Sequence, residues 1–178
     1  MRGSTFILAL ATVTTALVAG VFYGFSVSVN LAFAHLPDAV YIQAMQAINE
    51  AIVNPIFASA FFGAPALLPL ATVLQAHRPF SRRFVLLTGA SVIYLVGGLG
   101  VTVVGNIPLN ETLAKFPLAT ASPKQVAAAR LNFAGPWNTW HTVRTLASTT
   151  ALALVVGACL STETATRKKV SRHSNQYS

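Results

Sequence analysis

The chain has 178 residues, of which 54% are hydrophobic and 9% are charged, with a formal net charge of +8. An ordinary soluble domain carries about 25% charged residues. Twelve Lys or Arg and four Asp or Glu cannot cover the polar surface of a soluble domain this size, and so apolar a chain is not disordered either; the expected solvent is lipid.

Residues 6–29 form the first apolar run and hold no charge. A bilayer core needs about 20 apolar residues per helix. The run is far longer than the apolar core of a signal peptide, about 7–15 residues. A retained helix is therefore expected, although Leu31-Ala32-Phe33-Ala34 is a weak cleavage-like site. Gly20 and Gly24, beside Ala16, make a small-xxx-small pair suited to close helix contact, including contact with a second copy of the chain.

Residues 38–53 read as an amphipathic helix in the loop that follows. Tyr41, Met45, Ile48 and Ile52 recur at helical spacing, with Gln43, Gln46 and Glu50 off that stripe. Pro37 precedes it and Asn54-Pro55 ends it. Such a helix lies on the membrane surface or caps the bundle mouth. The second span covers residues 56–74, where Pro65 and Pro69 each remove a backbone donor and should bend the helix. That bend either belongs to ordinary packing or opens a ligand cavity.

Arg78, Arg82 and Arg83 crowd the next linker. The third span covers residues 84–104 and is thinned by Gly97, Gly98 and Gly100. Ser122-Pro123-Lys124-Gln125 combines a capping Ser, a Pro at the first helical position and a Gln at the third. A short helix should run from there to about Asn132, with Gly135-Pro136 breaking it. The fourth span covers residues 142–160, with Arg144 near its start. Cys159, the one cysteine, reads as a small packed residue. Residues 164–178 are polar and basic and read as a disordered cytoplasmic tail. The expected fold is all-α: residues 1–163 form a bundle of four transmembrane helices, with short amphipathic helices in two outer loops.

Arg2, the three linker arginines and Arg167, Lys168, Lys169 and Arg172 fall on one side of such a bundle; Lys115, Lys124 and Arg130 fall on the other. The excess of positive charge marks the cytoplasmic side. Both termini are thus expected in the cytoplasm, and the membrane would be the plasma membrane in a bacterium. Because these charges flank apolar runs, they read as topology signals, and no nucleic-acid partner is implied.

Polar groups at the ends of spans are costly in lipid, so their location is informative. Asn30 stands where the first helix exits and Asn54 where the second enters. Asn106 and Asn110 flank the exit of the third. Trp137, Asn138, Trp140, His141 and Arg144 stand where the fourth enters. All fall at the outer end, which implies one polar pocket roofed by the two outer loops. Trp137, His141 and Arg144 are four and three residues apart and share a helical face. A flat, partly anionic aromatic molecule could stack on Trp137 and pair with the Arg144 fork, while His141 moves a proton. Structural roles stay open at this point. The tryptophans suit interface anchors. Arg144 could snorkel to headgroups or pair with Glu111 or Glu50, and the asparagines suit helix caps.

No histidine pair has metal-ligand spacing on a helix; only His35 and His141 share a side, with Asp38, Glu50 and Glu111 as the nearby carboxylates. No metal is expected. The sequence also lacks GxGxxG, P-loop, GxSxG and CxxCH motifs, so flavin, nicotinamide, covalent haem and nucleotide hydrolysis lose support.

Asn106-Ile107-Pro108-Leu109-Asn110, followed by Trp137-Asn138-Thr139-Trp140-His141-Thr142-Val143-Arg144-Thr145, resembles the anthrone oxygenase-like integral membrane family. Met45-Gln46-Ala47-Ile48-Asn49 with Asn54-Pro55 is similar to the region before that family's second helix. The resemblance covers about residues 5–162. It implies oxidation of an anthrone to an anthraquinone with molecular oxygen as co-substrate and no other cofactor. His141 would take the acidic methylene proton. Arg144, helped by Asn106 or Asn110, would stabilise the oxyanion, and Trp137 would hold the rings. The rival readings are a non-catalytic membrane protein that binds a lipid or small apolar ligand, and a small transporter subunit. Against transport, no span carries a charge near mid-bilayer and no repeated halves are evident.

Overall fold

A backbone in lipid finds no water to bond, so each apolar run must satisfy its own N–H and C=O groups as a helix. The computed structural model describes residues 2–161, and among them there are helices and turns but no strand. The expected tail, residues 164–178, lies outside the described residues. The helices are α1 (Arg2–Gly24), α2 (Asn30–Phe33), α3 (Asp38–Ala51), α4 (Pro55–Val73), α5 (Arg82–Ile93), α6 (Ile107–Ala114) and α7 (Pro123–Leu160). A π-helical turn, Phe25–Val29, joins α1 to α2, and two more, Tyr94–Gly100 and Thr102–Asn106, join α5 to α6. Four continuous helical stretches are long and apolar enough to cross a membrane: Gly3–Phe33, Pro55–Val73, Arg82–Ala114 and Pro123–Leu160. The chain is a multi-pass membrane protein with an all-α fold.

Three of the helix starts follow from local chemistry. Asn54 accepts a hydrogen bond from the Phe57 N–H (2.9 Å) at the head of α4, and Ser81 accepts from the Phe84 N–H (3.2 Å) at the head of α5. Ser122 and Gln125 close a capping box at the head of α7.

Two expected boundaries move. Gly135-Pro136 does not separate the short loop helix from the fourth span, and α7 runs unbroken for 38 residues. A proline clashes with the Cβ of the residue before it when that residue is helical. Gly135 has no Cβ, so that clash is absent, and the missing Pro136 N–H falls on an exposed face. The third span also continues past residue 104 to Ala114, as the π-helical turn ending at Asn106 hands over to α6 without a break.

The side chains form two cores. One runs through the membrane bundle and includes Phe22, Phe61, Leu68, Leu87, Tyr94 and Val155. The other lies at the opposite end from the arginine linker, where Tyr41, Ile42 and Met45 of α3 pack against Leu113, Phe133 and Trp137. The amphipathic helix thus caps the bundle mouth. Gln46 ties it down by donating to the Leu113 carbonyl (2.8 Å) and the Phe116 carbonyl (3.2 Å).

Arg130 holds the same cap from the other side. It donates to the carbonyls of Phe33, Ala34 and Leu36 at the end of the first span, and to Asp38 Oδ1 (2.9 Å) at the start of α3. Its guanidinium also lies 4.5 Å over the Tyr41 ring. Burial pushes the Tyr41 phenol up and Arg130 opposes that shift, so the ring stays neutral under the cation. At the linker end, Arg83 donates to the Ala158 and Ser161 carbonyls and caps α7.

The glycines divide by role. A Cβ at Gly97 would stand 2.5 Å from Ala147, and one at Gly105 would stand 2.5 Å from the Trp140 ring, so these positions let the third and fourth spans touch. Gly20 and Gly24 face open space, with nothing within 4 Å of a built Cβ. They take no part in packing the described bundle.

Candidate functional site

A cavity of about 1230 Å³ opens at the capped end. Its floor is the last turns of the first span and the middle of α7. Its walls are α4 and the end of the third span, and α3 and residues 116–120 form its roof. Phe22, Phe25, Phe57, Phe61 and Phe62 make it mainly aromatic, while Gln43, Gln46, Asn49, Glu50 and Glu111 supply polar groups near the roof. The α7 residues that reach it are Trp137, His141 and Arg144.

These three are stacked along one face of α7, as their spacing requires. The Trp137 and His141 rings are parallel within 13°, with centroids 4.8 Å apart. Phe133, one turn earlier, stacks on Trp137 at 6.0 Å. Trp137 is therefore a rung in a ladder of protein rings, and its faces meet Phe133 and His141. The expectation that it offers a free face to a flat ligand is corrected: i±4 neighbours already cover it. The rings left to hold a ligand belong to the phenylalanines of the first and second spans.

Asn106 and Asn110 lie one turn apart and grip Trp137 from the third span. Asn106 Nδ2 donates to the Trp137 carbonyl (3.2 Å), and the Trp137 indole N–H donates to Asn110 Oδ1 (2.7 Å). Asn106 is fully buried and stands behind the cavity wall. Its amide donor is committed, so among the two asparagines it is Asn110 that lines the cavity with an Nδ2 making no hydrogen bond among the described residues.

Arg144 is 8% exposed. Its Nε donates to His141 Nδ1 (3.1 Å), and its guanidinium lies 4.2 Å from the Phe22 ring centroid and 5.2 Å from that of Trp137. Neither Glu50 nor Glu111 forms an ion pair with it; the ion pair among the described residues is Arg130 with Asp38. The terminal nitrogens of its fork make no hydrogen bond among the described residues. A buried, unpaired guanidinium is costly in so apolar a site. Cation–π contacts offset part of that cost, and the rest favours an anion arriving in the cavity.

Three expected site residues lie elsewhere. Asn30 opens α2 and is not on the cavity wall. Asn54 spends its side chain capping α4. Trp140 packs its ring into the space left by Gly105, facing away from the cavity. Asn30 and Asn54 sit at helix ends and Trp140 in the middle of α7, and none of the three lines the cavity. The structure adds Ser26, which the sequence reading did not single out. Ser26 Oγ lies 2.9 Å from His141 Nε2 and 3.3 Å from Thr145 Oγ1. His35, Asp38, Glu50, Glu111 and His141 do not converge, and among the described residues no three His, Cys, Asp or Glu side chains are grouped to hold a metal ion.

The family model described as anthrone oxygenase matches residues 55–154, more than half of the chain. That range contains Asn106, Asn110, Trp137, His141 and Arg144. No curated protein and no solved structure matches the chain.

Proposed function

The chain belongs to the anthrone oxygenase family, and on that premise we propose that it is a membrane-embedded oxygenase that oxidises an anthrone or a similar small aromatic polyketide. The observation that carries this reading is Arg144: a buried cation without a carboxylate partner among the described residues, set between aromatic rings on the wall of a large apolar cavity. Such a site suits a flat molecule that becomes anionic as it reacts.

An anthrone meets that description. Its methylene C–H bond breaks, the proton goes to His141, and the electron pair moves onto the ring carbonyl oxygen. Arg144 and the Asn110 amide stabilise that oxyanion. Asn106 and Trp137 act behind them, fixing the α7 face that carries His141 and Arg144. The electron-rich ring carbon then bonds to molecular oxygen, the co-substrate, and recovers the proton as a hydroperoxide. Loss of water, taking the second methylene hydrogen and the distal oxygen, leaves the new carbonyl. Anthrone plus one oxygen molecule thus gives anthraquinone plus water. No metal or organic cofactor enters this scheme.

In this reading the arginine linker and both termini face the cytoplasm, and the cavity opens toward the other side. Substrate reaches it from the lipid, whose solvent power suits an apolar polycycle. Purified protein in lipid nanodiscs should consume oxygen when given anthrone, and His141→Ala or Arg144→Ala should return uptake to the spontaneous rate. Uptake by the unaltered protein at the spontaneous rate would refute the reading for that substrate.

A further inference from the structure

The hydrogen bonds around His141 admit a single arrangement of protons. An arginine Nε can only donate, so His141 Nδ1, 3.1 Å away, must present its lone pair. A neutral imidazole then carries its hydrogen on Nε2. The group facing Nε2 is Ser26 Oγ at 2.9 Å, so the serine accepts. Its own hydrogen must point elsewhere, and Thr145 Oγ1 lies 3.3 Å away. Thr145 has committed its hydrogen to the His141 carbonyl (2.7 Å), so it can accept. Arg144, His141, Ser26 and Thr145 thus form one directed chain.

We infer that Ser26 is a positioning residue that holds His141 in the Nε2–H tautomer and so keeps the basic nitrogen, Nδ1, on the side of Arg144. His141 is 1% exposed, so no bulk water replaces the serine. Phe22 and Phe25 meet the ring edge-on at 5.9 Å and 5.2 Å, so their rings offer no acceptor, and the Phe22 backbone carbonyl near the imidazole favours the same protonated ring nitrogen. The π-helical turn Phe25–Val29 puts Ser26 there; π-helical turns recur where function needs a local change of helical phase.

The inference rests on the proposed reaction for its consequence. When substrate binds, its developing oxyanion is a stronger acceptor than imidazole, and Arg144 Nε–H turns to it. That frees Nδ1 to take the methylene proton at the same moment. The imidazolium so formed keeps Nε2–H bonded to Ser26. A ring in the other tautomer would set its Nδ1–H against the Arg144 Nε–H and could take no proton there.

The test is nitrogen-15 NMR of histidine-labelled protein in nanodiscs, with the His141 signals identified by their loss in His141→Gln. The expected result is a ring protonated at Nε2 in the unaltered protein, a changed Nε2–H signal in Ser26→Ala, and its return in Ser26→Thr. With anthrone, Ser26→Ala should lower kcat about tenfold, a small part of a general-base contribution, with KM little changed, and Ser26→Thr should recover most of it. A His141 ring protonated at Nδ1 in the unaltered protein would overturn the inference. So would a Ser26→Ala protein whose ring spectrum and kcat match the original. The spectra need no substrate, so they decide the role of Ser26 even where anthrone turnover, and with it the functional reading, fails.

Discussion

The Arg144 side chain is held by its neighbours in a way a lysine could not copy. Its Nε is bound to His141 while its plane lies against Phe22 and near Trp137. Lysine has no planar fork to do both. Arg144→Lys should therefore lower kcat/KM for anthrone oxidation by about 100-fold, read from initial rates, despite keeping the charge. Trp137→Phe should act differently. It keeps the ring ladder but leaves Asn110 Oδ1 without its donor, a loss of about 1 kcal/mol that thermal unfolding in detergent would show. The alignment of Trp137, His141 and Arg144 was legible in the sequence because offsets of four and three survive in any α-helix. Ser26 was not legible. It is 115 residues from His141 and sits in a π-helical turn, where a 3.6-residue period does not locate it. Asn30, Asn54 and Trp140 were read by their distance to a helix end, and that distance says nothing of the direction a side chain faces.

Whole helices were easier to read than their ends. Apolar length found the four spans and the capping motif found the head of α7, but Gly135-Pro136 was read as a break and the third span was ended at residue 104. A glycine precedes Pro136 and a π-helical turn leads into Pro108, and both helices run on through the proline. The contact between the third and fourth spans depends on glycine in a testable way. Gly105→Ala places a Cβ 2.5 Å from the Trp140 ring and should cost about 1–3 kcal/mol in detergent unfolding. Gly20→Ala meets open space and should be neutral or slightly stabilising, since alanine is the better helix former. The cap helix α3 depends on Arg130, which joins the first span, α3 and α7. Arg130→Ala should destabilise by about 2 kcal/mol and raise hydrogen exchange in α3 before the rest of the bundle.

At the scale of the molecule, sparse charge has two distinct uses. Most arginines and lysines border the spans, and one of them, Arg144, is buried beside the cavity. In the proposed orientation the cap faces away from the cytoplasm. With Cys159→Ser as background, Lys124→Cys should react with an impermeant maleimide added to intact cells and His77→Cys should not; the reverse pattern would invert the topology. The central claim is that the cavity beside Arg144 adds molecular oxygen to an anthrone. It is tested most directly by supplying labelled oxygen-18 gas to the purified protein in nanodiscs with anthrone, beside Arg144→Ala under the same conditions. The expected result is anthraquinone carrying one labelled oxygen, formed well above the spontaneous rate and lost in the variant. Equal product from the unaltered protein, the variant and empty nanodiscs would contradict it.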